Sequence, residues 1–120
     1  MSNILAPNET LHQNSSLASA NQAYELRMQD DGNLVLYRKA DGVAIWNAWE
    51  SSLWHYPGDH PRAAELKMQD DGNLVIYSEG RAMWDSDTHG LLNTTYLVLP
   101  DDGNLAICRF APVLSLTSAT

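Results

Sequence analysis

Thirteen residues of this chain occur twice. ELRMQDDGNLVLY, Glu25 to Tyr37, returns as ELKMQDDGNLVIY, Glu65 to Tyr77, with Lys67 for Arg27 and Ile76 for Leu36. A third copy, YLVLPDDGNLAIC, runs from Tyr96 to Cys108, so the DDGN signatures begin at Asp30, Asp70 and Asp101, 40 and then 31 residues apart. A unit this short cannot bury its own apolar face and must stack on its copies, which implies a modular, pseudo-threefold architecture. The repeats span about residues 14–48, 54–88 and 91–118 of one 120-residue domain. They also supply an internal control. Positions kept in all three copies serve the fold, whereas positions kept in two and lost in the third can serve something else.

Each copy reads as a β-hairpin, two alternating segments around a turn rich in Asp and Gly. Leu26, Met28, Leu34 and Leu36 fall on one face, as do Leu66, Met68, Leu74 and Ile76 in the second copy and Leu97, Leu99, Leu105 and Ile107 in the third. These form the expected core. Propensity alone favours a helix from Pro61 to Gln69, whose residues after the proline are good helix formers. The matching stretch of the third copy, from Thr94 to Leu99, is β-branched and alternating, and three repeats should share one structure, so a strand is expected in all. An apolar element follows each hairpin: Val43 to Trp46, Ala82 to Trp84, and in the third place Val113 and Leu114. Trp46 and Trp84 at equivalent positions of a threefold meet near the axis and fill a shared core.

The opposite face carries the chemistry. Gln29, Asp31, Asn33, Val35 and Tyr37 stand at strict alternation, as do Gln69, Asp71, Asn73, Val75 and Tyr77. Each set combines a carboxylate acceptor, two amides, a phenol and a small apolar patch, a mixture suited to a ligand with adjacent hydroxyls and a modest C–H face, which describes a sugar. Asp31, Gly32 and Asn33 are also ordinary turn residues, which accounts for the DDGN that all copies share. Turn formation does not account for Gln, Val and Tyr being paired in two copies and becoming Pro100, Ala106 and Cys108 together in the third.

Charge narrows the partners. With seven Lys and Arg against fifteen Asp and Glu, and a net charge of −8, the chain is a poor match for nucleic acid or for an anionic membrane. No apolar run approaches the ~20 residues that span a bilayer, and MSNILAPNETLHQ lacks the basic start and hydrophobic centre of a signal segment, so a cytoplasmic protein is expected. The lone Cys108 permits no internal disulfide, in keeping with a reducing compartment. The sequons at Asn8, Asn14 and Asn93 would matter only in a secreted chain. His55, Asp59 and His60 lack the further ligand that a metal site needs, and the DDGN lacks the spacing of an EF-hand, so no cofactor or metal is expected. A glycosidase requires two carboxylates across one cleft, and here each cleft offers one, because Asp30 and Asp31 are sequential and point apart. The chain reads as non-catalytic.

QDDGNLVLY and QDDGNLVIY match the Q-x-D-x-N-x-V-x-Y motif of the monocot, bulb-type mannose-binding lectins, the snowdrop-lectin-like family, at all five fixed positions in both copies. The resemblance extends over the whole chain, including the opening Asn3-Ile4-Leu5 and Glu9-Thr10-Leu11. It implies an all-β fold, the β-prism II: three four-stranded antiparallel sheets with pseudo-threefold symmetry around a tryptophan cluster. It implies that Asp31 and Asn33 bind the axial O2 of mannose, Gln29 O3 and Tyr37 O4, with Val35 on the carbon face. Asp71, Asn73, Gln69, Tyr77 and Val75 take the same roles. Terminal α-D-mannose and high-mannose glycans are then the expected ligands. The family often dimerises by exchanging C-terminal strands, and the apolar tail APVLSLTSAT suits a homodimer of that kind.

The chain departs from the family in three places, and one segment has no counterpart among its own repeats. Many members carry a cysteine at the position of Gly32, linked to one near Ala63 or Ala64, and this chain has neither. In the third copy only Asp102 and Asn104 persist, so that site is expected to be degenerate. Leu114 stands where a third tryptophan is expected. From Trp46 to Gln69 is 23 residues but from Trp84 to Pro100 only 16, so the stretch from Trp49 to His60 holds an insertion of seven whose aromatics Trp49, Trp54 and Tyr56 either stack on a second sugar, form an interface, or tuck the loop down. The alternative function is a protein-interaction or assembly module on a lectin-like prism, with that insertion and the tail as contact surfaces and sugar binding incidental.

Overall fold

The computed structural model describes residues 2–90, 95–109 and 112–117, and its regular elements are all strands. The Asn93 sequon and the edges of the third repeat and of the tail lie outside those residues. One sheet joins β3 (Ser16–Ala18), β4 (Tyr24–Met28), β5 (Leu34–Arg38) and β6 (Val43–Asn47) in that order. A second joins β2 (Thr10–Leu11) to β7 (Glu65–Met68), β8 (Leu74–Ser78) and β9 (Arg81–Asp85). The third joins β1 (Ile4–Leu5) to β10 (Tyr96–Val98), β11 (Ala106–Cys108) and β12 (Pro112–Ser115). Every ladder is antiparallel. This is the three-sheet prism that the resemblance implies, and the stretch with helical propensity holds the strand β7.

The turns explain why each copy folds locally as a hairpin. In the first, Gln29 N–H donates to Asn33 O at 2.9 Å, Gly32 N–H donates to Gln29 O at 3.2 Å, and Asn33 N–H donates to Asp31 Oδ1 at 2.9 Å. The second repeats the pattern through Gln69, Gly72, Asn73 and Asp71. In the third, Asn104 N–H still donates to Asp102 Oδ1 at 2.9 Å, but Pro100 has no N–H for the closing bond that Gln29 and Gln69 make. Gly32 has a φ of 90°, a value that L residues avoid, and its missing side chain also leaves room for a neighbour. A Cβ there would stand 1.8 Å from the carbonyl oxygen of Pro61. The tip of the first turn thus rests on the chain entering β7. The third turn rests likewise on the chain entering β4, where Asn21 N–H donates to Asp101 Oδ1 at 2.9 Å and the Tyr24 ring lies against Gly103.

Every residue of the expected core face is fully buried: Leu26, Met28, Leu34 and Leu36, and their counterparts in the other two sheets. Leu5, Leu11 and Leu17 add one apolar plug from each N-terminal strand. The axis follows the same logic. Trp46 pairs with Leu36, Trp84 with Ile76 and Leu114 with Ile107, each beside a register shift that precedes Tyr37, Tyr77 or Cys108. Trp46 meets Trp84 edge-on, with centroids 6.1 Å apart and planes at 74°, the arrangement that ring quadrupoles favour. Leu114 packs against this core and fills the third place with an aliphatic side chain.

Candidate functional site

Alternation along β5 and β8 puts the motif residues on the face turned away from the core, and the register shifts after Leu36 and Ile76 re-aim Tyr37 and Tyr77. In the second repeat the Tyr77 hydroxyl donates to Gln69 Oε1, and Gln69 Nε2 donates to both oxygens of Asp71 at 3.2 and 3.3 Å. The first repeat makes the same relay. With its amide oriented to satisfy both neighbours, Gln29 accepts from the Tyr37 hydroxyl and donates to both oxygens of Asp31 at 3.2 Å. A phenol, an amide and a carboxylate are thereby lined up along one shallow surface, each retaining capacity for a further hydrogen bond. Burial, followed by the charges of Asp71 and Asp85, pushes the Tyr77 phenol above its ordinary pKa, so it stays a donor through neutral pH.

The asparagines are largely committed to the protein. Asn33 and Asn73 are each only 8% exposed, and their amides are turned to the protein. Asn33 Oδ1 accepts from the Trp49 N–H at 3.2 Å, and Asn33 Nδ2 donates to Asn47 Oδ1 at 3.4 Å. Asn73 Oδ1 accepts from Ser86 Oγ at 3.1 Å and from the Thr88 N–H at 3.2 Å, while its Nδ2 donates to Asp85 Oδ2 at 2.8 Å. One N–H of each amide is left over. Val35 and Val75, expected as an apolar patch, are 4% and 2% exposed, so they form a floor rather than a raised contact.

Asn47, Asp85 and Ser115 escaped the sequence reading although a signal was there. Each follows the axial residue of its repeat, Trp46, Trp84 or Leu114, and each touches the asparagine of its DDGN turn; in the third copy Ser115 Oγ donates to Asn104 Oδ1. The third face offers nothing comparable to the relay. Asp102 is exposed and Asn104 half-buried, but Ala106 and Cys108 are buried, and burial raises the Cys108 thiol pKa.

A groove of ≈ 580 Å³ runs beside the second relay, from Gln69 and Tyr77 past Lys67 and Glu65 to Ala63 and Glu79. Beside the first, Tyr37, Glu25, Lys39 and Gly42 line ≈ 380 Å³. The insertion folds its aromatics onto itself. Trp49 stacks on His60 with centroids 4.0 Å apart, Trp54 meets the same ring edge-on at 5.1 Å, and Trp54 Nε1 donates to Tyr56 O at 3.2 Å. His55 faces Asp85 at 3.4 Å, away from that stack. Among the described residues, no three His, Cys, Asp or Glu side chains converge as metal ligands would.

No protein-family model matches the chain, and neither does any curated protein. Solved structures do match. Monomeric monocot mannose-binding lectins from Gastrodia elata are 34% identical, with a TM-score of 0.80 and 98% of each chain covered. The mannose-specific agglutinin of snowdrop, Galanthus nivalis, solved with methyl α-D-mannoside, is 32% identical at a TM-score of 0.74, with 97% of each chain covered. A lectin from Allium sativum is 33% identical at 0.73, covering 94% of this chain and 98% of its own.

Proposed function

The chain belongs to the monocot mannose-binding lectin family, and from that premise we propose that its first two repeats are working sites for terminal α-D-mannose while the third is degenerate. It is a non-catalytic lectin of β-prism II fold. The observation that carries the site assignment is the paired relay, Tyr37 to Gln29 to Asp31 and Tyr77 to Gln69 to Asp71, with no equivalent at Cys108, Pro100 and Asp102. Snowdrop agglutinin is mannose-specific, and the family resemblance of the two motifs implies that the Asp and Asn take O2, the Gln O3 and the Tyr O4.

The chemistry suits those roles. A carboxylate that accepts from an axial hydroxyl discriminates against an epimer whose hydroxyl points elsewhere, because the charged acceptor is then left unpaired. Asn33 and Asn73, pinned by their neighbours, present one fixed N–H each, which lowers the ordering cost of binding. Shallow, solvent-exposed sites of this size hold a monosaccharide at ~mM Kd, and strength on a glycan surface comes from multiplicity. Calorimetry with methyl α-mannoside tests the proposal: two weak sites per chain are expected. A preference for galactose, or silence of the Gln29 and Gln69 amide resonances on adding mannose, would overturn it.

Homodimerisation belongs to the same proposal. β12 is an edge strand paired with β11, and two copies that trade it would double the site count. The Gastrodia elata lectins are monomeric, so sedimentation equilibrium is the deciding measurement.

A further inference from the structure

The insertion between β6 and β7 does more than tuck down its tryptophans. Beyond them it lines a second groove of ≈ 620 Å³, walled by Tyr56, Asp59, Arg62, Glu79 and Arg81. This groove shares Ala63 and Glu79 with the one that starts at Gln69 and Tyr77, so it adjoins that groove on the side away from the second relay and lengthens the trough there. The Arg81 guanidinium lies over the Tyr56 ring, 5.6 Å from its centroid, and Gly58 backs the ring so closely that a Cβ would stand 2.9 Å from it. Among the described residues, Asp59, Arg62, Glu79 and Arg81 form no ion pair, although all four are exposed in the same trough.

Unpaired donors and acceptors of both signs along one channel select a particular chemistry. An anion would meet Asp59 and Glu79, and a cation would meet Arg62 and Arg81. A neutral polyhydroxyl chain satisfies both sets, since each hydroxyl accepts from a guanidinium and donates to a carboxylate. Beside the first relay the space is smaller, and its charged walls are already engaged: Glu25 faces Arg27 at 3.8 Å and Lys39 donates to Gln22 at 3.2 Å.

Resting on the mannose reading above, we propose that this trough is an oligosaccharide subsite, so that the second site reads the sugars next to the terminal mannose and the first site reads the terminal mannose alone. The two sites are then unequal despite near-identical motifs.

Calorimetric titrations of two single-site variants test this, Asp31→Asn leaving the second site and Asp71→Asn leaving the first, each with methyl α-mannoside and with an α-linked mannotriose. The second site should prefer the trisaccharide by about tenfold or more, as one or two added charge-assisted bonds provide, and the first by less than about twofold. Adding Arg62→Ala and Asp59→Ala to the Asp31→Asn chain should return the ratio to about one with monosaccharide affinity unchanged. An equal ratio at both sites, or a ratio that survives the double substitution, would overturn the subsite alone. No response to methyl α-mannoside in either single-site variant would overturn the mannose reading and the subsite with it.

Discussion

Asn33 Oδ1 accepts the backbone N–H of Trp49 at 3.2 Å, which ties the tip of the first hairpin to the chain leaving its last strand. The proposed sugar site therefore includes a residue that also holds the sheet together. This explains why the asparagine persists in the third copy, where the amide, valine and phenol are lost: Asn104 still receives Ser115 Oγ. The residues kept in two copies only, the amide, the valine and the phenol, are the ones that the proposed third-site degeneracy rests on.

Asn104→Ala should accordingly destabilise a protein whose sugar binding is untouched. It removes the acceptor of Ser115, at a cost of about 1 kcal/mol. Chemical denaturation should show the loss while mannose titration matches the parent.

The opposite pattern is expected of Asp31→Asn with Asp71→Asn. An Asn Oδ1 still accepts the turn N–H that Asp31 and Asp71 receive at 2.9 Å, so stability should stay within about 0.5 kcal/mol of the parent. Without the charged acceptors, mannose binding should fall below detection. A collapsed circular-dichroism spectrum would show that these aspartates are structural.

Gly32→Ala and Gly42→Ala separate backbone strain from collision. Both glycines have positive φ, 90° and 69°, but a Cβ on Gly42 meets nothing within 4 Å, whereas one on Gly32 overlaps the Pro61 carbonyl. Gly42→Ala should cost about 1–2 kcal/mol. Gly32→Ala should cost about 3 kcal/mol or more, because the chain entering β7 must move. Equal melting temperatures for the two variants would contradict this close approach.

Alkaline titration should single out Tyr77. Its folded pKa lies above the ordinary 10.0, so the folded state holds the phenol proton more tightly than the unfolded chain does. The resulting stability is fully present below about pH 10 and is lost as pH rises through the folded value. Phenolate absorbance should therefore contain a late component that Tyr77→Phe removes, and the stability gap between parent and variant should narrow at high pH.

Much of this was legible because the repeat multiplies every signal. Alternation around DDGN located the four core-face residues of each hairpin, and the spacing of Trp46 and Trp84 located the axis, including the substitution at Leu114. Two-residue strands such as Ile4–Leu5 and Thr10–Leu11 carry too few residues for any period to show, so the sequence does not reveal that the second and third sheets take their fourth strands from outside residues 54–88 and 91–118. Side-chain commitment was hidden too. Nothing local distinguishes an Asn33 amide facing solvent from one spent on Trp49, nor shows that Trp49 and Trp54 would close on His60 rather than face outward.

The short strands near the start have a consequence for assembly during synthesis. Ser16 pairs with the nearby Arg27, but Thr10 pairs with Lys67 and Ile4 with Val98. The first sheet can close as soon as its own hairpins have left the ribosome. β2 must then wait for the middle of the chain and β1 for almost all of it, each holding unpaired edge groups while the loop entropy of a distant contact is still to be met. Closure proceeds from the first repeat to the last, and β1, translated before the other eleven strands, is the last to find its neighbour.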